Sequence, residues 1–351
     1  MRKHMIFYMT DYVWGSEETQ YFFQLNPEAI LDAIDAVGFK TTGRCLPLNS
    51  IENRVYEIEV DRPEAEIKSP SDNFIVAKFY RPGRWTKDQI IDEHDFIKDL
   101  DDAEIPVIAP LKIDGTTIFE MPNHKIFYCL YEKRGGRNPE EMNIEQLEIM
   151  GRSLARIHSV GALKSADHRI KLTPETYGVA NLKFLASTNY IPTDIREHFI
   201  TICEQIIAES KPLFENVSYQ RVHGDFHKGN IILRGDDSFF VDFDDMVMGP
   251  VVQDVWPICP GDDQQSVIDR NIFLEAYDSI RSFPYEQLKL IPSLRALRLI
   301  HFSAWIAKRW DDPSFKYTFG YFESPNYWYG QMNDLRALLS KIIEVKNPYQ
   351  Y

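Results

Sequence analysis

Residues 222–254 constrain this chain more than any other stretch. They begin Val222-His223-Gly224-Asp225-Phe226-His227-Lys228-Gly229-Asn230, pass through two short apolar runs around a turn, and arrive at Asp242-Phe243-Asp244-Asp245. An aspartate, an asparagine shortly after it and a second aspartate beyond one hairpin is the spacing by which kinases set a base and two magnesium ligands around the phosphates of ATP. Phosphoryl transfer asks little covalent work of a protein; it needs an oriented hydroxyl and neutralised charge. Asn230 and Asp242 offer the oxygen ligands that Mg²⁺ prefers, and Asp225 can accept the proton of an acceptor hydroxyl. The runs Ile231-Ile232-Leu233 and Phe239-Phe240-Val241, joined by residues 234–238, predict a hairpin with Asn230 and Asp242 together at its open end. Any one of these residues alone is a turn former, but the joint pattern is a poor match to chance. His227 is read as a loop stabiliser, with a phosphate or catalytic-loop contact as the alternative. His223 is expected to pack under the loop, and Asp254 to accept backbone N–H bonds that brace it. Asp244 either adds charge near the metal or caps a turn.

A phosphotransferase also needs a grip on the nucleotide, and the first third of the chain offers one. Asn26-Pro27-Glu28 predicts a capped helix that Gly38 ends. A polar loop, residues 46–54, leads into a strand over 55–60 with alternating apolar residues, and a second strand follows over 74–80. Two antiparallel strands after such a loop fold over a nucleotide, with Ser50 and nearby N–H groups near the phosphates, or form a plain hairpin. The loop has neither the glycine pattern of protein kinases nor that of P-loop enzymes. Lys78 lies inside the second, very apolar strand and so needs an anionic partner, unless it snorkels to water at an edge. Thr86-Lys87-Asp88-Gln89 predicts a capping box, and the helix it opens puts Ile90, Glu93, Ile97 and Leu100 on one stripe. A strand lysine followed by an inward-facing helix glutamate is the arrangement that holds the α and β phosphates in kinases. Further strands are expected over 105–110, 116–120 and 126–132. Gly135-Gly136 is then the hinge candidate, beside which an adenine pocket would form. Beyond it the pattern is helical, with helices expected near 144–161, 268–282 and 296–310 and His158 as a satisfied histidine.

At 351 residues, with 44% apolar and 26% charged residues, the chain is long enough for two lobes, each with its own core. No repeat or low-complexity segment appears. The net charge of −14 disfavours nucleic acid and anionic lipid as partners. Cys45, Cys129, Cys203 and Cys259 are widely spaced among apolar neighbours and are expected to be buried free thiols of a reducing compartment. The basic start is not followed by a cleavage-site pattern, and no stretch approaches the roughly 20 apolar residues of a bilayer span, so a cytoplasmic location is expected; a monomer is the expected state. Residues 1–25 are aromatic-rich and carry no motif; packing against a lobe or a partner is their expected role.

The string His-Gly-Asp-x-His-x-Gly-Asn followed by Val-Asp-x-Asp-Asp and Gly-Pro-x-x-Gln-Asp-x-Trp resembles the bacterial stress response kinase A family, in the aminoglycoside phosphotransferase and choline kinase-like branch. The resemblance extends to Pro47-Leu48-Asn49-Ser50-Ile51-Glu52-Asn53-Arg54, to Ala77-Lys78-Phe79-Tyr80-Arg81-Pro82-Gly83-Arg84-Trp85-Thr86, and to Arg295-Ala296-Leu297-Arg298-Leu299. It implies an α+β, two-lobed protein-kinase-like fold. A small N-terminal lobe, residues 26–132, would hold a five-stranded antiparallel sheet and one long helix, and a larger, mainly helical lobe would span residues 133–351. It implies an ATP- and Mg²⁺-dependent kinase that phosphorylates serine or threonine of a protein, the chain itself included, under stress. By position, Asp225 matches the family's proton acceptor, Asn230 and Asp242 its magnesium ligands, and Ser50 an ATP-contacting residue; Lys78 and Glu93 complete the nucleotide grip. The residues themselves leave two other readings open. One is a kinase for a small alcohol, and the other is a nucleotide-binding regulator without turnover, against which the presence of the base argues.

Overall fold

The computed structural model describes residue 22 and residues 25–121, 125–235 and 237–346. Apart from Phe22 and Leu25, the expected role of residues 1–25 lies outside the described residues. The described residues divide into two compact units, one drawn from Glu17–Lys171 with Val217–Ile291 and the other from Leu172–Asn216 with Pro292–Tyr351.

In the first unit, α1 (Pro27–Ala36) is capped by Asn26, whose side chain accepts the Ala29 N–H, and Gly38 leaves it with φ of 98°. A five-stranded antiparallel sheet follows in the order β1-β2-β3-β5-β4. Its strands are β1 (Thr41–Leu48), β2 (Arg54–Val60), β3 (Phe74–Phe79), β4 (Phe119–Glu120) and β5 (Phe127–Glu132). The number of strands is as expected, but the membership differs. β1 occupies part of what the sequence presents as a loop. As an edge strand paired only to β2 it is exposed along most of its length, so it lacks alternation and tolerates Gly43 and Pro47. Residues 105–110, expected as a strand, make only isolated bridges, Val107 to Phe240 and Pro110 to Tyr131, because Pro106 and Pro110 have no N–H to give a ladder. Ile30, Ile34, Ile58, Ile75, Phe79 and Leu130 form the core between α1 and the sheet. Phe22 joins that core, 1% exposed, with the guanidinium groups of Arg54 and Arg81 each 5.1 Å from its ring centroid.

Between β3 and β4 runs α2 (Lys87–Asp102), opened by the Thr86–Gln89 capping box and burying Ile90, Glu93, Ile97 and Leu100. The Gly135-Gly136 segment is fastened rather than free. Arg137 exchanges backbone hydrogen bonds with Leu233, and a Cβ on Gly136 would stand 2.3 Å from Ile232 Cγ2. That glycine is required by close approach to a neighbouring strand. Past it, α3 (Ile144–Gly161) packs on α6 (Gln264–Asp278). The short strands β6 (Gln220–Val222) and β9 (Val247–Gly249) pair antiparallel, as do β7 (Ile231–Arg234) and β8 (Asp237–Phe240).

The second unit is helical. It holds α4 (Ala180–Ser187), α5 (Arg196–Ser210), α7 (Ile291–Lys308) from Pro292 onward, α8 (Pro313–Thr318) and α9 (Pro325–Lys346). The Phe199 ring of α5 meets Trp328 of α9 edge-on at 5.5 Å. Cys129, Cys203 and Cys259 are buried free thiols, and Cys45 is half-buried. Among the described residues no helix is long and apolar enough to cross a membrane.

Candidate active site

Every residue singled out for chemistry lies in the first unit. The loop after β6 is braced by the buried carboxylate of Asp254, which accepts the backbone N–H groups of His223 at 2.7 Å and Gly224 at 2.8 Å. The same carboxylate pairs with His158 Nε2 at 3.1 Å, while His158 Nδ1 meets the Tyr277 hydroxyl at 3.0 Å. Burial holds the His158 pKa below its ordinary value against the pull of Asp254, so the ring serves as a neutral donor to that carboxylate. His223 is buried beneath the loop: its Nε2 donates to the Val241 carbonyl at 2.9 Å and its Nδ1 accepts the Asp225 N–H at 3.3 Å. Its ring packs on Phe243, centroids 4.4 Å apart, and Phe243 in turn meets Phe96 of α2 edge-on at 5.7 Å. One histidine thus connects the loop holding Asp225 to the strand end holding Asp242.

Asn230 donates from Nδ2 to the Asp225 carbonyl at 2.9 Å, which turns its Oδ1 to the other side. The Val241 N–H donates to the Asn230 carbonyl at 3.1 Å, so the open end of the β7–β8 hairpin brings the backbones of 230 and 241 together as the spacing predicts. Asp242 follows with φ of 61°, in the left-handed region, and its side chain is 55% exposed. His227 has both roles weighed for it. Its Nδ1 accepts the Gly229 N–H at 2.9 Å, stabilising the loop, and its Nε2 lies 3.2 Å from Asp225 Oδ2, touching the candidate base.

Lys78 is 6% exposed, so it does not snorkel. Its Nζ lies 3.4 Å from Glu93, 3.2 Å from Asp242 and 3.3 Å from Asp244. Burial alone would lower its pKa, but Asp244, Glu93 and Asp242 together outweigh that and raise it well above the ordinary value. Burial raises the Glu93 pKa, opposed by Lys78 and by Arg169, whose guanidinium donates to Glu93 at 2.8 Å. The Tyr80 hydroxyl adds a bond to Glu93 at 3.2 Å. The structure therefore brings Lys78, Glu93 and Asp242 together, with Asn230 and Asp225 held in one loop beside them. Ser50 stands apart: it is half-buried in the turn between β1 and β2 and, among the described residues, makes no hydrogen bond to the others.

Two arginines, quoted in the sequence only as part of the resemblance, are given no role there. Arg84 donates to both Asp244 and Asp245 and lies 3.5 Å from Glu52 of the β1–β2 turn. Arg81 binds the Glu52 carbonyl at 3.0 Å and takes the Asn53 side-chain oxygen on its N–H at 3.2 Å. Asp244 is thus held between Arg84 and Lys78. It is a buried ion-pair partner whose pKa, pushed up by burial, is driven far below the ordinary range by Arg84 and then Lys78. Asp245 is pushed the other way, up to about 6, by burial and by the neighbouring Asp225 and Asp244, although Arg84 opposes it. A signal for the arginines existed in the charge count: four acids at 93, 242, 244 and 245 exceed what one lysine can balance.

The oxygen donors Asn230 and Asp242 fit a hard divalent cation and no soft metal. Among the described residues no group of three or more His, Cys, Asp or Glu is arranged to hold a metal by itself.

Comparison with known proteins shows the class to which this fold belongs. The phosphotransferase enzyme family matches residues 45–291, and the chain belongs to that family. It is 36% identical over 312 residues to stress response kinase A of Escherichia coli (strain K12), covering 88% of this chain and 91% of that one. It is 33% identical over 311 residues to serine/threonine protein kinase RdoA of Salmonella typhimurium (strain LT2), with the same 88% and 91% coverage. Within the phosphotransferases it thus groups with the stress response kinase A family. The fold is similar to that of amicoumacin kinase hAmiN, solved with AMP-PNP, Ca²⁺ and Ami (TM-score 0.68, 20% identity, 91% of this chain and 95% of that one). It is also similar to a microcompartment-associated aminopropanol kinase (TM-score 0.66, 16% identity, 91% of this chain and all of that one). The expected kinase-like α+β fold is therefore the one observed.

Proposed function

We propose that this kinase transfers the γ-phosphoryl group of ATP to a serine or threonine hydroxyl of a protein, in a stress response in the cytoplasm, and that it acts as a monomer. The observation that carries the reading is Lys78 buried among Glu93 and Asp242, at the open end of the hairpin that holds Asn230. The name of the serine/threonine kinase relative supports the acceptor. Residues 26–132 supply the nucleotide grip and residues 133–351 the catalytic loop and acceptor side.

Lys78, oriented by Glu93 and held charged, neutralises phosphate oxygens, and Ser50 and the backbone around it approach the same phosphates. Asn230 and Asp242 would hold Mg²⁺, and the ion would supply neutralisation of the phosphate charge. Asp225, oriented by His227, accepts the proton of the acceptor hydroxyl as its oxygen bonds to the γ-phosphorus and the bond to the β,γ-bridging oxygen breaks, releasing ADP.

Asp225→Ala is expected to bind Mg-ATP yet lose at least ~10²-fold in transfer. Label from γ-labelled ATP, located by phosphosite mass spectrometry, is expected on serine or threonine of this chain or of a generic protein. Label found only on a small alcohol would assign the enzyme to that acceptor class instead. ATP binding without ADP formation under any acceptor would mark a regulator.

A further inference from the structure

Lys78 faces a problem that its neighbourhood must solve. Three carboxylates lie within 3.4 Å of its Nζ, and a lysine fully engaged by acids has no charge left to offer a nucleotide. The two buried acids each have an arginine of their own. Glu93 is paired by Arg169 at 2.8 Å, and Asp244 by Arg84. Asp242, the more exposed acid, has no such partner besides Lys78 among the ion pairs of the described residues.

We infer that Arg84 and Asp244 are a positioning pair: Arg84 neutralises Asp244 and so keeps Lys78 available to the phosphates of the nucleotide. The inference rests on the nucleotide reading of Lys78 given above and assigns residues that reading does not need. Arg84 leaves the turn after β3 only six positions beyond Lys78, so strand and pair are delivered together. Its second nitrogen reaches Asp245 and its first also nears Glu52, which fixes the guanidinium plane against Asp244. Asp244 is 3% exposed, so without Arg84 its nearest remaining cation is Lys78, in a setting where water screens little. A role for Asp244 as a direct metal ligand would predict the opposite dependence on its charge.

The test is direct calorimetric titration of the full chain with ATP in excess Mg²⁺. Arg84→Met is expected to bind at least ~10-fold more weakly, the scale of one lost charge-assisted contact. Asp244→Asn, which keeps the shape and removes the charge, is expected to bind within about 3-fold of the parent or more tightly, and Arg84→Met with Asp244→Asn is expected to recover to that same range. Should Arg84→Met fail to fold by circular dichroism, the other two variants decide. Weakening of ~10-fold or more in Asp244→Asn, or no recovery in the double variant, overturns the inference. Lys78→Met separates this from the parent reading. If it leaves ATP binding unchanged, the nucleotide site itself is misassigned; if it weakens binding while Asp244→Asn also does, only the positioning pair fails.

Discussion

Asp242 shows what a single residue is asked to tolerate in this site. Its left-handed backbone costs of order 1–3 kcal/mol, and it persists because both neighbours are fixed, Val241 by His223 and Asn230, and Phe243 between His223 and Phe96. His94 is constrained differently. It is 3% exposed, bonded to the Tyr80 hydroxyl at 2.9 Å and the Thr117 hydroxyl at 2.7 Å, and burial, reinforced by Lys78 and Arg169, lowers its pKa to about 3. The unfolded chain takes up this proton near pH 6.5 while the folded chain does not, so stability is full above that pH and is lost as pH falls from 6.5 toward 3. The slope expected from this one proton is about 1.4 kcal/mol per pH unit. Denaturant titrations of the parent and His94→Gln between pH 7 and 4 should differ by such a slope; parallel curves would refute the assignment.

At the scale of elements, the loop that carries Asp225 and the segment after β8 fit together through Gly224. Its φ is 84°, and a Cβ there would stand 2.0 Å from the Asp245 carbonyl oxygen. Gly235, in the β7–β8 turn, has φ of 61° but open space around it. Gly235→Ala is therefore expected to cost only the left-handed penalty, about 1–2 kcal/mol, whereas Gly224→Ala must also displace Asp245 and is expected to cost more and to depress phosphoryl transfer. Equal stability losses in urea melts would mean that the close approach has no energetic weight. The helices were legible because their signals are local: Asn26 and Thr86 cap the helices their spacing predicts. β1 was not, because an edge strand exposed on both faces leaves no alternation to read.

For the whole molecule, folding and ligand binding are linked. A nucleotide that binds only the folded chain is expected to stabilise it by about 2.7 kcal/mol at a hundred times its Kd. With Asn230 and Asp242 as proposed ligands, that gain should fall when Mg²⁺ is chelated, and in Asp242→Asn thermal melts with ATP should lose their response to Mg²⁺; a response equal to the parent's would move the metal elsewhere. The sequence by itself determined the hairpin between Asn230 and Asp242, the capped helices, the brace at Asp254 and the need of Lys78 for an acid, since each follows from spacing or from the cost of burying a charge. Only the tertiary structure decided how that charge is balanced. Lys78 meets Asp242 across 164 residues of chain, and Arg84 meets Asp244 across 160, because pairing between distant charges is set by packing, on which local spacing is silent.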